Sequence, residues 1–166
     1  MPGMLTARFD ALLQAVKAAC HKHYGPRLVA LAVFGSVGRG TPRPDSDVDF
    51  LIVAERLPRG RVARVADFAG VETRVGDVLR RMRSEGVTTE LSPVLKTPEE
   101  VERGSLLFLD MLEDAKLLVD RDAFLTEHFA RFRARLTQLG SRRIWRGNAW
   151  FWDLKPDYRP GEVFDL

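Results

Sequence analysis

The most constraining feature of this sequence is the stretch VFGSVGRGTPRPDSDVDFLIV, which covers residues 33–53. It joins two apolar runs through a segment rich in glycine and proline, and it places Asp47 and Asp49 inside the second run. The first run, RLVALAVFG, is short, branched and apolar, and it ends at glycine, which is typical of a buried β-strand. The joining segment predicts a loop or short turn, and DVDFLIVA predicts a second strand.

Asp47 and Asp49 lie two positions apart in this second predicted strand. Side chains two apart in a strand share a face, so both carboxylates converge while Val48 and Phe50 face the core. Two close carboxylates repel each other unless a proton or a cation lies between them. Oxygen ligands favour Mg²⁺, which usually keeps waters and phosphate oxygens as its other ligands. The pair therefore predicts a divalent metal site. The simpler alternative is that both aspartates lie at the solvated end of a strand.

The loop before this pair carries the groups that a phosphate needs. Gly35, Gly38 and Gly40 let backbone N–H groups approach closely, Ser36 offers a hydroxyl, and Arg39 offers a fork of donors. A glycine-rich turn alone is more often a simple tight turn. Together with the two carboxylates at this spacing, it predicts a site for a metal-bound polyphosphate and a phosphoryl or nucleotidyl transfer reaction.

The rest of the chain predicts a domain with few strands. Helices are expected over residues 4–23, 60–85, 105–115 and 122–140, and further strands over 87–97 and 116–120. Pro93 places the second half of the third strand at a sheet edge or a bulge. We expect one α/β or α+β domain over 1–166, with a small mixed β-sheet flanked by helices. Its core would cover about 1–120, and a C-terminal helix and aromatic tail about 121–166.

Composition excludes several classes of protein. With 26 basic and 23 acidic residues, the formal charge of +3 allows nucleic-acid binding without indicating it. The single cysteine, Cys20, can form no internal disulfide, and three histidines supply no zinc ligand set. No run approaches the ~20 apolar residues of a membrane span, and the first ten residues lack a signal-peptide pattern. A cytoplasmic location without a membrane partner is expected.

Gly35-Ser36, followed after ten residues by Asp47-x-Asp49, resembles the signature of the DNA polymerase beta-like nucleotidyltransferase superfamily. The chain length resembles that of its minimal nucleotidyltransferases. The resemblance is specific over residues 35–53 and looser, in the order of elements, through Thr97. It implies that Gly35 and Ser36, with Arg39, hold the triphosphate of an NTP, most simply ATP. It also implies that Asp47 and Asp49 bind two Mg²⁺ ions.

The resemblance further implies a third carboxylate on a later strand, as metal ligand or as base for the acceptor hydroxyl. Glu90 in TTELSPV is the only acidic residue inside the third predicted strand and is the candidate, against the alternative of a solvated strand residue. Glu99, Glu100 and Asp110 are weaker rivals because each lies on a predicted helix or turn. The three acidic residues Glu99, Glu100 and Glu102 are most simply the acidic first turn of a helix.

The function implied is transfer of a nucleoside monophosphate, AMP from ATP, to a hydroxyl acceptor. Minimal nucleotidyltransferases often pair with a small helical HEPN-type protein, and some adenylylate it as antitoxins, so a separate HEPN-type partner is expected. The alternative is a non-catalytic, nucleotide-binding antitoxin or scaffold that acts by protein contact. Transfer to a small molecule such as an aminoglycoside would normally require a larger acceptor-binding domain than the residues after Thr97 supply.

The tail SRRIWRGNAWFWDLKPDYRPGEVFDL interleaves arginines with tryptophan, phenylalanine and tyrosine. Such a mixture can stack on bases or hold an acceptor. It can equally pack across the domain or form a homodimer contact, because Trp and Tyr bury large areas at interfaces. Pro156 and Pro160 argue against a long regular element in this tail.

Overall fold

The computed structural model describes residues 2–166, which form two compact units that divide after Phe124. The first unit holds α1 to α5 and β1 to β4, and the second holds nearly all of α6 with β5 and β6. In chain order the elements are α1 (Pro2–Tyr24), β1 (Leu28–Phe34), α2 (Gly35–Gly38), β2 (Val48–Ala54), α3 (Arg61–Ser84), β3 (Leu91–Lys96), α4 (Pro98–Glu102), α5 (Phe108–Asp114), β4 (Lys116–Asp120), α6 (Phe124–Gln138), β5 (Arg142–Arg146) and β6 (Ala149–Asp153).

Four strands of the first unit form one mixed sheet in the order β3-β2-β1-β4. β1 pairs antiparallel with both β2 and β4, whereas β2 and β3 are parallel and are joined through α3. A parallel pair needs such a crossover connection, while antiparallel strands can be joined by a short loop. The predicted mixed α/β sheet flanked by helices is confirmed. Pro93 lies in β3 at the edge of the sheet, as its sequence position indicated.

The two central strands are buried on both faces, which explains their nearly continuous apolar sequences. Leu31, Val33, Phe50 and Ile52 join apolar residues of α1 and α3 in the main core. Cys20 lies in the same core, completely buried and unpaired. The residues that alternate with these in β1 and β2 are also buried, at 0% exposure: Ala30, Ala32, Leu51 and Val53.

Helices α1 and α3 approach each other closely at a glycine. A Cβ atom added to Gly70 of α3 would lie 2.7 Å from two atoms of the His23 ring of α1. The His23 Nε2 atom also lies 3.3 Å from a carboxylate oxygen of Asp67, one turn earlier on α3. The absence of a side chain at residue 70 therefore permits this helix contact.

An ion pair connects the start of α3 to β3 and α4. The Arg64 guanidinium donates to both carboxylate oxygens of Glu100, at 2.7 and 3.0 Å, and to the carbonyl oxygens of Pro58 and Leu95. Thr97 and Glu100 also form a reciprocal capping box at the start of α4. The hydrogen bonds from Arg64 lower the pKa of Glu100 to about 2. The predicted helical first turn of this acidic segment is confirmed.

The third strand begins later than predicted. β3 starts at Leu91 rather than near residue 87, because the preceding N–H groups are used elsewhere. Thr88 N–H donates to the carbonyl of Pro44, and Glu90 N–H donates to a carboxylate oxygen of Asp47 at 3.3 Å. Glu90 consequently lies just before the strand, and its side chain is exposed.

The second unit contains a β-hairpin that the sequence analysis did not predict. β5 and β6 pair antiparallel over five registered pairs, and the turn between them holds Gly147 at φ +60°. The guanidinium of Arg143 lies 5.0 Å from the ring centre of Trp145 and 5.3 Å from that of Trp150. Pro156 and Pro160 follow the hairpin and so do not interrupt it. Across residues 2–166, no helix combines the length and the apolar composition needed to cross a bilayer.

Replacing Gly70 with Ala should lower the free energy of unfolding by about 1–3 kcal/mol, because the new methyl group must displace the His23 ring. Gly76→Ala on the same helix is the matched control. Its Cβ would meet only the flexible end of Arg80, at 3.2 Å, so it should gain up to about 1 kcal/mol from helix propensity. Urea unfolding measures both values, and equal effects of the two substitutions would refute the packing argument.

Glu100→Gln should lower the free energy of unfolding by about 2 kcal/mol at neutral pH, because it removes charge-assisted hydrogen bonds with Arg64. The pKa of Glu100 is depressed when folded, so its stabilisation is complete above its ordinary value of 4.5 and is lost as pH falls toward about 2. The difference from wild type should therefore shrink between pH 5 and pH 3 in urea titrations. Glu72→Gln, exposed on α3, is the charge-matched control.

Candidate functional site

The glycine-rich loop meets the aspartate strand at one point, set by the register of the sheet. Phe34, the last residue of β1, pairs with Asp49 of β2, so Gly35 leaves the sheet beside that carboxylate. A Cβ atom on Gly35 would lie 2.5 Å from Asp49 Oδ2, and Gly35 has φ +67°. Both the contact and the left-handed backbone require glycine here. The structure thus brings the predicted phosphate loop and one predicted metal ligand together.

The loop itself folds into a tight turn with a short helix, α2. Arg39 N–H donates to the carbonyl of Gly35 at 3.0 Å, and Thr41 N–H donates to the carbonyl of Ser36 at 2.9 Å. Val37 is buried and anchors the turn in the core, whereas Ser36 stays half-buried. Further along, Arg43 N–H donates to the Ser46 hydroxyl at 2.9 Å.

Asp49 lies on one face of β2, and Asp47 is the residue directly before this strand. Val48 and Phe50 on the other face are completely buried, Asp49 is half-buried and Asp47 is exposed. Burial raises the pKa of Asp49, and the nearby negative charge of Asp47 raises it further. A hydrogen bond with the Ser92 hydroxyl acts in the opposite direction. Two crowded carboxylates of this kind suit a divalent cation, whose charge would remove the mutual repulsion.

The parallel pairing of β2 with β3 sets the remaining polar groups beside these carboxylates. Asp49 pairs with Ser92, and Val48 N–H donates to the carbonyl of Glu90 at 2.9 Å. The first registered pair is Val48 with Leu91, so the same register continued by one residue sets Glu90 beside Asp47. Ser92 was missed by the sequence interpretation, although its position two residues after Glu90 in a strand was the available signal.

A closed cluster of carboxylates is absent from the described part of the chain. Among residues 2–166, no group of three or more His, Cys, Asp and Glu side chains is arranged to hold a metal ion. The structure places Glu90 next to the aspartate pair without completing such a group. Of the weaker rivals, Glu100 is bound to Arg64, while Glu99 and Asp110 lie on α4 and α5.

Arg39 has a partner that the sequence interpretation did not identify. Its Nη1 atom lies 2.6 Å from Oδ2 of Asp114, the last residue of α5. The positive charge of Arg39 also opposes the rise in the pKa of Asp49, so the guanidinium acts on the same site as the aspartates. No simple sequence signal connects residues 39 and 114, which are 75 positions apart.

The hairpin of the second unit presents its own surface. Trp145 and Phe151 are 55% and 44% exposed, and Arg146 lies over the Phe151 ring at 5.5 Å. Base stacking, packing and homodimer contact all stay predictions for this segment.

Comparison with known proteins assigns the family. The family model described as a nucleotidyltransferase domain matches residues 13–120, which is 108 of the 166 residues and includes every predicted site residue. A curated relative from Methanocaldococcus jannaschii, described as "Putative protein adenylyltransferase MJ1305", is 30% identical over 132 residues. The match covers 78% of this chain and 82% of the relative.

Similar solved structures include two crystal structures of toxin–antitoxin systems. One, a toxin–antitoxin with AMP-PNP, has a TM-score of 0.40 at 15% identity and covers 81% of this chain and 92% of that one. The other, a mutant of the toxin–antitoxin MntA–HpeT, has a TM-score of 0.42 at 15% identity and covers 79% and 90%. On the family model and the curated relative, this chain belongs to the nucleotidyltransferase domain family.

Proposed function

We propose that this protein is a metal-dependent nucleotidyltransferase that transfers AMP from ATP to a hydroxyl acceptor. The observation that carries the proposal is the contact between the loop and the aspartate strand, where Gly35 leaves no room for a Cβ beside Asp49. Groups suited to phosphate and groups suited to Mg²⁺ therefore belong to one site. Membership of the family supports the reaction class.

Each residue has a role in this proposal. Gly35, Ser36 and Arg39 bind the triphosphate. Asp47 and Asp49 hold Mg²⁺, and the family resemblance implies two ions. Glu90 is the third carboxylate. When bound, the metal offsets negative charge on the triphosphate and orients it. The acceptor oxygen forms a bond to the α-phosphorus, the bond to the β-phosphate oxygen breaks, and pyrophosphate leaves. The acceptor proton passes to Glu90 or to water.

We propose a protein as the acceptor, in the cytoplasm. The description of the archaeal relative as a protein adenylyltransferase supports this class of substrate. The resemblance to minimal nucleotidyltransferases supports a HEPN-type partner, with this chain acting as its antitoxin. ATP as the donor follows from the same relative, since adenylyl transfer uses an adenosine nucleotide.

One observation favours a second candidate function. Glu90 is exposed outside β3, and among residues 2–166 no three carboxylates are grouped to hold a metal. A site of this kind can bind a nucleotide without turnover. The second candidate is therefore a nucleotide-binding antitoxin or scaffold that neutralises its partner by contact.

Asp47→Asn and Asp49→Asn should each abolish transfer, because each removes one metal-binding charge while keeping the side-chain shape. The assay incubates the protein with Mg²⁺, α-labelled ATP and a co-expressed HEPN-type protein, and it follows label on that protein. Asp45→Asn, an exposed aspartate just before the pair, is the control and should retain activity. Unchanged labelling by either site variant would refute the assignment. Tight binding of the partner and of ATP without any label would favour the second candidate.

Gly35→Ala should weaken binding of Mg²⁺·ATP by at least tenfold, because its methyl group would occupy the position of Asp49 Oδ2. Gly40→Ala is the matched control. Gly40 also has a positive φ, +76°, but nothing lies within 4 Å of its Cβ position, so it shares the backbone strain without the collision. Isothermal titration gives both affinities. Equal losses would mean that backbone strain alone matters at this loop.

A further inference from the structure

The partner of Arg39 occupies an unusual position for an acid. Asp114 is the last residue of α5, where the carbonyl ends of the helix make a negative side chain locally unfavourable. Its side chain is only 10% exposed, and a carboxylate buried to this extent needs a compensating charge. Arg39 supplies that charge at 2.6 Å. The local cost at the helix end indicates that Asp114 has a role outside its own helix.

The backbone holds Asp114 against the glycine-rich loop. A Cβ atom on Gly38 would lie 2.5 Å from the carbonyl oxygen of Asp114 and 2.8 Å from that of Val33. The end of α5, the turn of α2 and the end of β1 therefore contact one another through main-chain atoms. Lys116, two residues after Asp114, pairs with Val33 in the sheet. These main-chain contacts therefore fix the backbone position of Asp114 relative to the glycine-rich loop.

The arrangement leaves Arg39 held on one side and open on the other. Its side chain is 40% exposed, and the hydrogen bond to Asp114 uses only Nη1 of a guanidinium that carries five N–H donors. An unrestrained arginine loses about 2 kcal/mol of rotamer entropy when it is ordered. A side chain already oriented by Asp114 loses less of that freedom when an anion arrives.

We infer that Asp114 is a positioning residue, which orients the Arg39 guanidinium to bind the triphosphate of the nucleotide. The inference rests on the proposed function, because it assumes that Arg39 contacts the triphosphate. Asp114 itself does not touch the nucleotide. Its effect on binding should therefore exist only while Arg39 is present.

A double-mutant cycle tests this dependence. Binding of Mg²⁺ with a non-hydrolysable α,β-methylene ATP is measured by isothermal titration for wild type, Asp114→Asn, Arg39→Ala and the double variant. We expect Arg39→Ala to weaken binding by about tenfold or more, and Asp114→Asn by a smaller factor of at least threefold. In the Arg39→Ala background, Asp114→Asn should change the affinity by less than twofold. Asp10→Asn, which removes an exposed pair with Lys116, is the control and should bind like wild type.

The outcomes separate the inference from the proposed function. If wild type binds the analogue but Asp114→Asn has no effect, or has the same effect with and without Arg39, Asp114 is not a positioning residue and the proposed function stands. If wild type binds no nucleotide, both are overturned. If thermal melting shows that Asp114→Asn does not fold, the same cycle is run with Asp114→Glu. That variant keeps the charge but moves the carboxylate by one methylene, and the same loss of coupling is expected.

Discussion

The antiparallel pairing of β1 with β2 is the interaction on which the site depends. Phe34 lies opposite Asp49, so the chain leaves β1 at the point where the carboxylate stands on β2. A slip of one residue would turn Asp49 into the core and Phe50 toward the site. Burial of both strands on both faces makes such a slip costly. The hydrophobic core thereby sets the distance between the phosphate loop and the aspartates.

The negative charges of Asp47 and Asp49 are only partly compensated by the groups around them. Burial and the neighbouring Asp47 both raise the pKa of Asp49, and Ser92 and Arg39 compensate for only part of this effect. Such a pair is costly to keep ionised without a cation. Arg39 is itself shared with Asp114, which brings a third carboxylate close to the loop without making it a metal ligand. The loop and the aspartates are thus joined by charge as well as by contact.

Much of the fold followed from local sequence patterns. The long amphipathic helices, the buried strands and the edge position of Pro93 come from periodicity and from the chemistry of proline, both of which are local. The hairpin of the second unit did not follow from these patterns, because Pro156 and Pro160 argue against a long regular element but do not exclude a short hairpin that ends before them. β3 begins later than local patterns predict because the N–H groups of Thr88 and Glu90 bond to Pro44 and Asp47, in the segment before β2.

The sequence by itself determined the chemical identity of the site. Glycines, a serine and two aspartates at their spacing specify phosphate and metal ligands, because strand alternation places both carboxylates on one face. Only the tertiary structure decided which groups surround them. The parallel register puts Ser92 beside Asp49 and Glu90 beside Asp47, and the β4–β1 pairing holds Asp114 near Arg39. These contacts join residues more than forty positions apart, and their distances follow from sheet register and helix packing, which local patterns do not encode.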